Sequence, residues 1–342
     1  MLRVAIETQF GLGTPTGIGV YARRLVDALR RRDDIDVVEF VDPSFDLWRF
    51  DRRLYWDQLR ARRLAREARA DVVHFTGGTL PVVAPRPVVL TVHDLVWLRA
   101  ANPGRPYVRW YYGRFQPLLA RRADALVVDS AAARADVADG LGIDPSRITV
   151  AGMGADERFF TLERRPEEPP FVLAVGTIEA RKDLATAVRA VERLAGIRLI
   201  AVGAPTPYER HVRAEIARRG LAERVEIRGY VDDDELLRLY SQASALIFPS
   251  RYEGFGLPPL QALAAGLPVV ASRIPVLQEV LGDAAWYAPP EDDLAFANAL
   301  QRVLGGGPDV EAHIVRGRSR AAHFTWQVVA SRMVAVYRSL TS

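Results

Sequence analysis

At 342 residues the chain exceeds what one hydrophobic core usually serves, so two domains are expected, and the half of the residues that are apolar can fill both. The absence of cysteine excludes a disulfide framework and a thiolate metal site, and no apolar run reaches the roughly 18 residues of a membrane span. The formal net charge is +4, with basic residues outnumbering acidic ones 26 to 21 up to residue 165 and 20 to 21 beyond it; no recognised module accompanies this basic surplus, so nucleic acid is not an expected partner.

The opening, "MLRVAIETQF", reads as a buried strand running into polar residues. It lacks the basic region, apolar core and small-residue cleavage site of a secretory signal, so a cytoplasmic protein is expected. The β-branched runs "LRVAI", "IDVVEF", "ADVVHF", "PVVLTV" and "ALVVD" follow one another with helical patterns between them. Charges and three prolines in "LERRPEEPPF", residues 162 to 171, then break both periodicities. A second series opens with "FVLAV" and continues through "IRLIAV", "RVEIRG", "ALIFP", "LPVVAS" and "AAWYA", before a last helix over about 326 to 340. Near-continuous apolar strands separated by helices predict α/β domains whose parallel sheets are covered on both faces. The expected organisation is a doubly wound domain over 1–163, a second over 171–324, and a C-terminal helical segment over 325–342.

In such sheets ligands bind outside the carboxyl ends of the strands. Polar or glycine-rich clusters fall at five of these ends: "GLGTPTGIG", the Phe75 to Gly78 stretch, His93-Asp94, "GTIEARK" and "PSRYEGFG". Two sheets with populated strand ends predict a cleft between two domains. Lys182 is the only lysine among 46 basic residues, and with Arg181 it stands at the entry to a helix beginning near Asp183. Two cations there oppose the helix dipole, so a bound anion such as a diphosphate is a natural explanation. In "RYEGFGLPPLQALAAGLPVVAS", Pro258 suits the first position of a helix, with the amides of Phe255, Gly256 and Leu257 at its positive end and bare backbone at Gly254 and Gly256. A tight strand-to-helix turn is the alternative reading of those glycines.

Taken together, "PSRYEGFGLPPLQALAAGLPVVAS", "VGTIEARKDL", "VHD" and "PTGIGVY" resemble, in order and over essentially the whole chain, the retaining nucleotide-sugar glycosyltransferases of family 4, and the mannosyltransferase members above all. The resemblance implies the GT-B architecture, two Rossmann-like domains facing across a cleft, with the C-terminal helix crossing back to the N-terminal domain. It implies that Arg181 and Lys182 hold the donor diphosphate, assisted by Gly176, Ser250 and the amides from Gly254 through Phe255 and Gly256 to Leu257. Glu253 would contact the transferring sugar, His93 would lie near the anomeric centre, Gly17 and Gly19 would bring backbone to the diphosphate and acceptor, and Val231 would neighbour the nucleobase. Tyr21, Asp94, Arg109 and Trp110 are candidates for the acceptor.

The implied reaction moves a hexose, mannose from GDP-mannose in the first instance, to a hydroxyl of a glycan or lipid-linked saccharide, without cofactor or metal. A nucleotide-sugar epimerase of the same architecture and a non-catalytic sugar-nucleotide-binding subunit are the alternatives. Two positions depart from the family pattern. Thr177 stands where an arginine usually follows the glycine, and Gln261 replaces a second glutamate that accepts from the ribose hydroxyls. An amide accepts at one atom and donates at the other, so one ribose hydroxyl would have to reverse its role.

Residues 99 to 122 hold six arginines, five aromatics and no acid. They read either as a peripheral contact with an anionic membrane, or a grip on a lipid diphosphate, or as an ordinary helix with its aromatics inward. "VDDDEL", 231 to 236, reads as a helix N-cap and first turn, not as a metal site.

Overall fold

In chain order the apolar runs form β1 (Leu2–Glu7), β2 (Ile35–Phe40), β3 (Val72–Phe75), β4 (Val88–Thr91), β5 (Ala125–Val128) and β6 (Ile148–Val150), then β7 (Phe171–Val175), β8 (Arg198–Val202), β9 (Val225–Gly229), β10 (Ala245–Phe248), β11 (Val269–Ser272) and β12 (Trp286–Ala288). This computed structural model describes residues 1–13, 17–45, 47, 50–99 and 110–341. β3, β4, β10 and β11 are buried at every residue, as strands covered by helices on both faces must be. The strand missing from the sequence reading is β6, whose three residues "ITV" are too few to show a period.

The strands assemble into two parallel six-stranded sheets, ordered β2-β1-β3-β4-β5-β6 and β12-β11-β10-β7-β8-β9. The first order is flavodoxin-like, reversing direction between β1 and β3. The second is the dinucleotide-fold order read backwards, reversing between β7 and β10. Each reversal leaves a crevice where strand exits diverge, which is where such folds place their ligands.

The chain divides into one unit of Met1–Gly154 with Trp326–Ser342 and another of Ala155–Thr325. The division between the units therefore falls at 154/155, ahead of the proline-rich 162–171 stretch where the composition shifts. Backbone bonding explains the difference: the amides of Ala155, Arg165 and Glu167 donate to the carbonyls of Phe324, Ser241 and Gln242, all in the second unit. Phe159 also packs edge-on against Tyr240 at 5.0 Å. The helix Trp326–Ser339 belongs to the first unit, where the Tyr337 hydroxyl pairs with buried His74 at 2.8 Å and Arg332 donates to the Ala151 carbonyl.

Candidate active site

On the side of the reversal away from β10, the β7, β8 and β9 exits are laced together by backbone. Gly176 donates to Val202, Gly203 to Gly229 and Ile178 to Ala204. A Cβ on Gly203 would lie 1.9 Å from the Gly176 carbonyl oxygen, so only glycine lets the β7 and β8 exits approach this closely. The β7 exit then makes a single 3-10 turn, Ala180–Lys182, and passes through Asp183 in the left-handed region (φ 50°) into the helix Leu184–Glu192. Asp183 is wholly buried and accepts from the Thr186 hydroxyl at 2.7 Å and from Arg251 Nε at 3.1 Å. The Arg251 amide donates to the Arg181 carbonyl. Side chain and backbone thus fasten the β10 exit to the β7 exit.

That stitching brings together three residues separated by about seventy positions in the chain. Lys182 Nζ donates to Glu253 Oε1 at 2.6 Å, and Arg181 Nη1 donates to Glu253 Oε2 at 3.3 Å and to the Tyr252 carbonyl at 3.1 Å. Arg181 Nη2 also pairs with Glu179 at 2.8 Å, and Lys182 Nζ sits 5.1 Å from the centre of the Phe248 ring. Only 7% of the Glu253 side chain and 16% of that of Lys182 is exposed. Burial works to raise the Glu253 carboxyl, but the two adjacent cations outweigh it and hold the group below its usual range. Burial dominates at Lys182 and pulls its ammonium down, against the attraction of Glu253. Gly176, Thr177, Lys182, Pro249 and Ser250 line the adjoining pocket. The arrangement can neutralise an anion while one carboxylate keeps both cations aimed.

The helix after β10 begins at Leu257, with Gly256 as its cap at φ 96°. Pro258 therefore occupies the second helical position, not the first. With Pro259 beside it, no N–H follows that of Leu257 until Leu260, whose amide already reaches the Gly256 carbonyl. A Cβ on Gly256 would come within 2.5 Å of Leu277 Cδ2, which would have to shift; the left-handed backbone angle favours glycine there whatever the ligand. Gly254, Phe255 and Gly256 are buried, as is Ser250, while Leu257, Pro258 and Gln261 form the half-exposed stripe of a helix otherwise turned inward. The i to i+4 spacing puts Gln261 one turn above Leu257. Val231 is half-buried just past β9. Asp232 caps the next helix by accepting from the Glu235 amide at 2.8 Å, which settles the acidic run as a cap.

In the N-terminal unit His93 follows β4. Its Nδ1 lies 2.7 Å from Asp129 Oδ2 and its Nε2 3.1 Å from the Thr76 carbonyl oxygen. Burial works against the charged ring, but Asp129 outweighs it and raises the imidazole above its ordinary value. The edge of Tyr21 meets this ring at 4.7 Å. Tyr21 is wholly buried with its hydroxyl beside Thr91, so this acceptor candidate presents no exposed atom to a ligand and packs against His93 instead. Asp94 accepts from the Val96 amide at 3.0 Å, turning the chain into the helix Val96–Arg99. Gly17 opens the helix Gly17–Arg30 and Gly19 lies against the Phe10 carbonyl. Trp110 is exposed and stacks on Phe115, whereas Tyr111 is wholly buried and donates to Asp57 at 2.8 Å. The described part of the 99–122 stretch thus turns most of its aromatics inward; Arg109, and residues 14–16 of the glycine-rich motif, lie outside the described residues.

Sequence reasoning overlooked a second cluster, at the β1/β3 reversal. Glu7, 1% exposed, accepts from Trp56 Nε1 at 2.7 Å and from the Gly77 amide at 3.2 Å; burial pushes its carboxyl up to about 7. Arg53 lies over the Phe10 ring at 4.5 Å and donates to buried Asp57 and to Thr79. Asp129 and Glu7 do share a signal: each is an acid ending an apolar strand, "ALVVD" and "LRVAIE".

Comparison with known proteins agrees with this geometry. Residues 156–320 match the family described as Glycosyl transferases group 1, and residues 15–159 match Glycosyltransferase Family 4. The chain is 32% identical over 302 residues to the MMP alpha-(1->4)-mannosyltransferase of Mycolicibacterium hassiacum, covering 82% of this chain and 73% of that protein. It is 33% identical over 175 residues to O-antigen chain mannosyltransferase B of Escherichia coli, covering 50% of this chain and 46% of that one. Among solved structures, sucrose-phosphate synthase from Thermosynechococcus elongatus superimposes with a TM-score of 0.80 at 22% identity, covering 99% of both chains.

Proposed function

The chain belongs to the family 4, group 1 glycosyltransferases of GT-B fold, and from that premise we propose that it moves a hexose from a nucleoside diphosphate donor to a hydroxyl of a glycan or lipid-linked saccharide, with retention of anomeric configuration. The observation that carries the proposal is the Arg181, Lys182 and Glu253 cluster at the β7/β10 reversal. The relatives named as mannosyltransferases favour mannose, and GDP-mannose is the donor proposed.

In this reading the bond from the anomeric carbon to the donor phosphate oxygen breaks while the bond to the acceptor oxygen forms on the same face. The acceptor proton passes to the departing phosphate. Negative charge grows on that phosphate, and Arg181 and Lys182 stabilise it more in the transition state than in the bound donor, which is what accelerates the step. Glu253 aims both cations and contacts the sugar hydroxyls, and Gln261 faces the ribose. The two cations supply the positive charge a divalent ion would otherwise bring, so the proposal needs no metal.

No helix among the described residues is long and apolar enough to cross a membrane. A lipid-linked acceptor would be met by peripheral contact of the N-terminal unit at the cytoplasmic membrane face; that unit exposes Leu54, Tyr55, Leu59 and Trp110. The deciding experiment is calorimetric titration with GDP, UDP, dTDP and their sugar conjugates in the presence of a chelator. Selective binding of GDP and GDP-mannose is expected. Binding of none of them would remove the donor assignment.

A further inference from the structure

Both ring nitrogens of His93 are committed to protein atoms. The Thr76 carbonyl at 3.1 Å can only accept, so Nε2 carries a hydrogen. The single proton between Nδ1 and Asp129 Oδ2, 2.7 Å apart, then decides whether the ring is neutral or charged. The titratable groups facing the ring are Asp129 from the end of β5, Asp94 beside it in the chain, Tyr21 from the helix Gly17–Arg30, and His74 from β3. The two acids favour a charged ring. Tyr21 is neutral, and burial holds His74 neutral by pulling its imidazole down to about 3. Asp129 is 3% exposed and, among the described residues, its Oδ1 has no hydrogen-bond partner, so the His93 ring is the compensation that its carboxylate has for lost hydration.

We propose that Asp129 is a positioning residue that holds His93 as an imidazolium, with both N–H groups given to the protein, so that His93 offers its ligand a fixed positive charge and never takes up a proton during turnover. A base would need a bare ring nitrogen, and neither is available. The consequence for catalysis rests on the transferase reading above, in which the departing phosphate accepts the proton; the charge state of the ring does not.

The experiment is 15N NMR of the full chain labelled at its five histidines, with His93→Gln to assign the two His93 resonances, across pH 5 to 9. Both nitrogens are expected at imidazolium positions well above pH 6.5, and Asp129→Asn is expected to cut the proton affinity of the ring at least about tenfold. A bare-nitrogen signal from His93 at pH 6 would overturn the proposal, and the unmodified protein decides this even if the variant fails to fold. Turnover gives the separate readout. Asp129→Asn should lose at least about tenfold at pH 8 and recover toward pH 5.5, where its ring recharges. A loss independent of pH would mean that Asp129 only supports the fold. No turnover from the unmodified protein with any donor would count against the transferase reading and leave the NMR result standing.

Discussion

The two units are both built on a six-stranded parallel sheet, with different strand orders, yet treat charge at their strand reversals in opposite ways. At β1/β3 the fold buries an acid, Glu7, and meets it with neutral donors, Trp56 and the Gly77 amide, while Arg53 is spent on Asp57 and Thr79. At β7/β10 it sets two cations on one carboxylate beside a pocket. The first arrangement is self-satisfied and serves to hold the β3 exit, whose Thr76 carbonyl meets His93. The second gathers Arg181 and Lys182, partnered by Glu253 and Glu179, beside a pocket where an incoming anion can share the two cations. A shared architecture therefore fixes where a site can be, and side-chain charge fixes what it can hold.

The sharpest way to break this comparison is to remove one cation from each reversal. Lys182→Ala should cut turnover by about 10² to 10³, as the loss of one transition-state donor does, and Glu253→Ala should follow it. Melting should change little in Lys182→Ala, since Arg181 still pairs with Glu253. Arg53→Ala should do the reverse. It takes the paired cation from the buried Asp57 carboxylate, leaving only the neutral Tyr111 and Thr79 hydroxyls of its described donors, and should cost about 3 kcal/mol of stability, read from a urea transition. A folded Arg53→Ala protein should keep most of its turnover, and an equal loss of turnover in the two variants would erase the distinction.

A smaller effect separates the reversals by pH. The Glu7 carboxyl is raised from 4.5 to about 7 on folding, so the folded state holds its proton where the unfolded chain has lost it. Its stabilising contribution is complete below pH 4.5 and is lost as pH rises toward 7, a decline of at most about 3 kcal/mol. Urea unfolding of Glu7→Gln and of the unmodified protein at pH 4.5, 6 and 8 should show the variant with the flatter profile. Parallel profiles would place the Glu7 carboxyl at its ordinary value. The smallest effect concerns Gln261→Glu. If this stripe faces the ribose, donor binding should tighten by about 1 kcal/mol, roughly fivefold in Kd by calorimetry. An unchanged Kd would place the ribose elsewhere.

Much of this was legible in the chain itself, because unbroken β-branched runs can only be strands covered on both faces, and their ends mark where function collects. From "GTIEARKDL" alone, Arg181 and Lys182 could be picked out and a diphosphate expected beside them, whereas Glu253 and Gln261 are singled out by the resemblance to the family. Local sequence also dictated the Asp232 cap and the proline-marked helix start. Tertiary structure decided the partners. Glu253 meets Lys182 only because β10 lies beside β7 and the Arg251 amide ties their exits together. Asp129 and His93 are 36 residues apart and meet because β5 pairs with β4. The glycine at 256, open to a ligand explanation in the sequence, is favoured by its left-handed backbone at the start of the helix, with Leu277 packed close against it. Periodicity and turn chemistry act over a few residues and can be read from the chain, whereas the charge state of a buried group depends on neighbours that only strand order supplies.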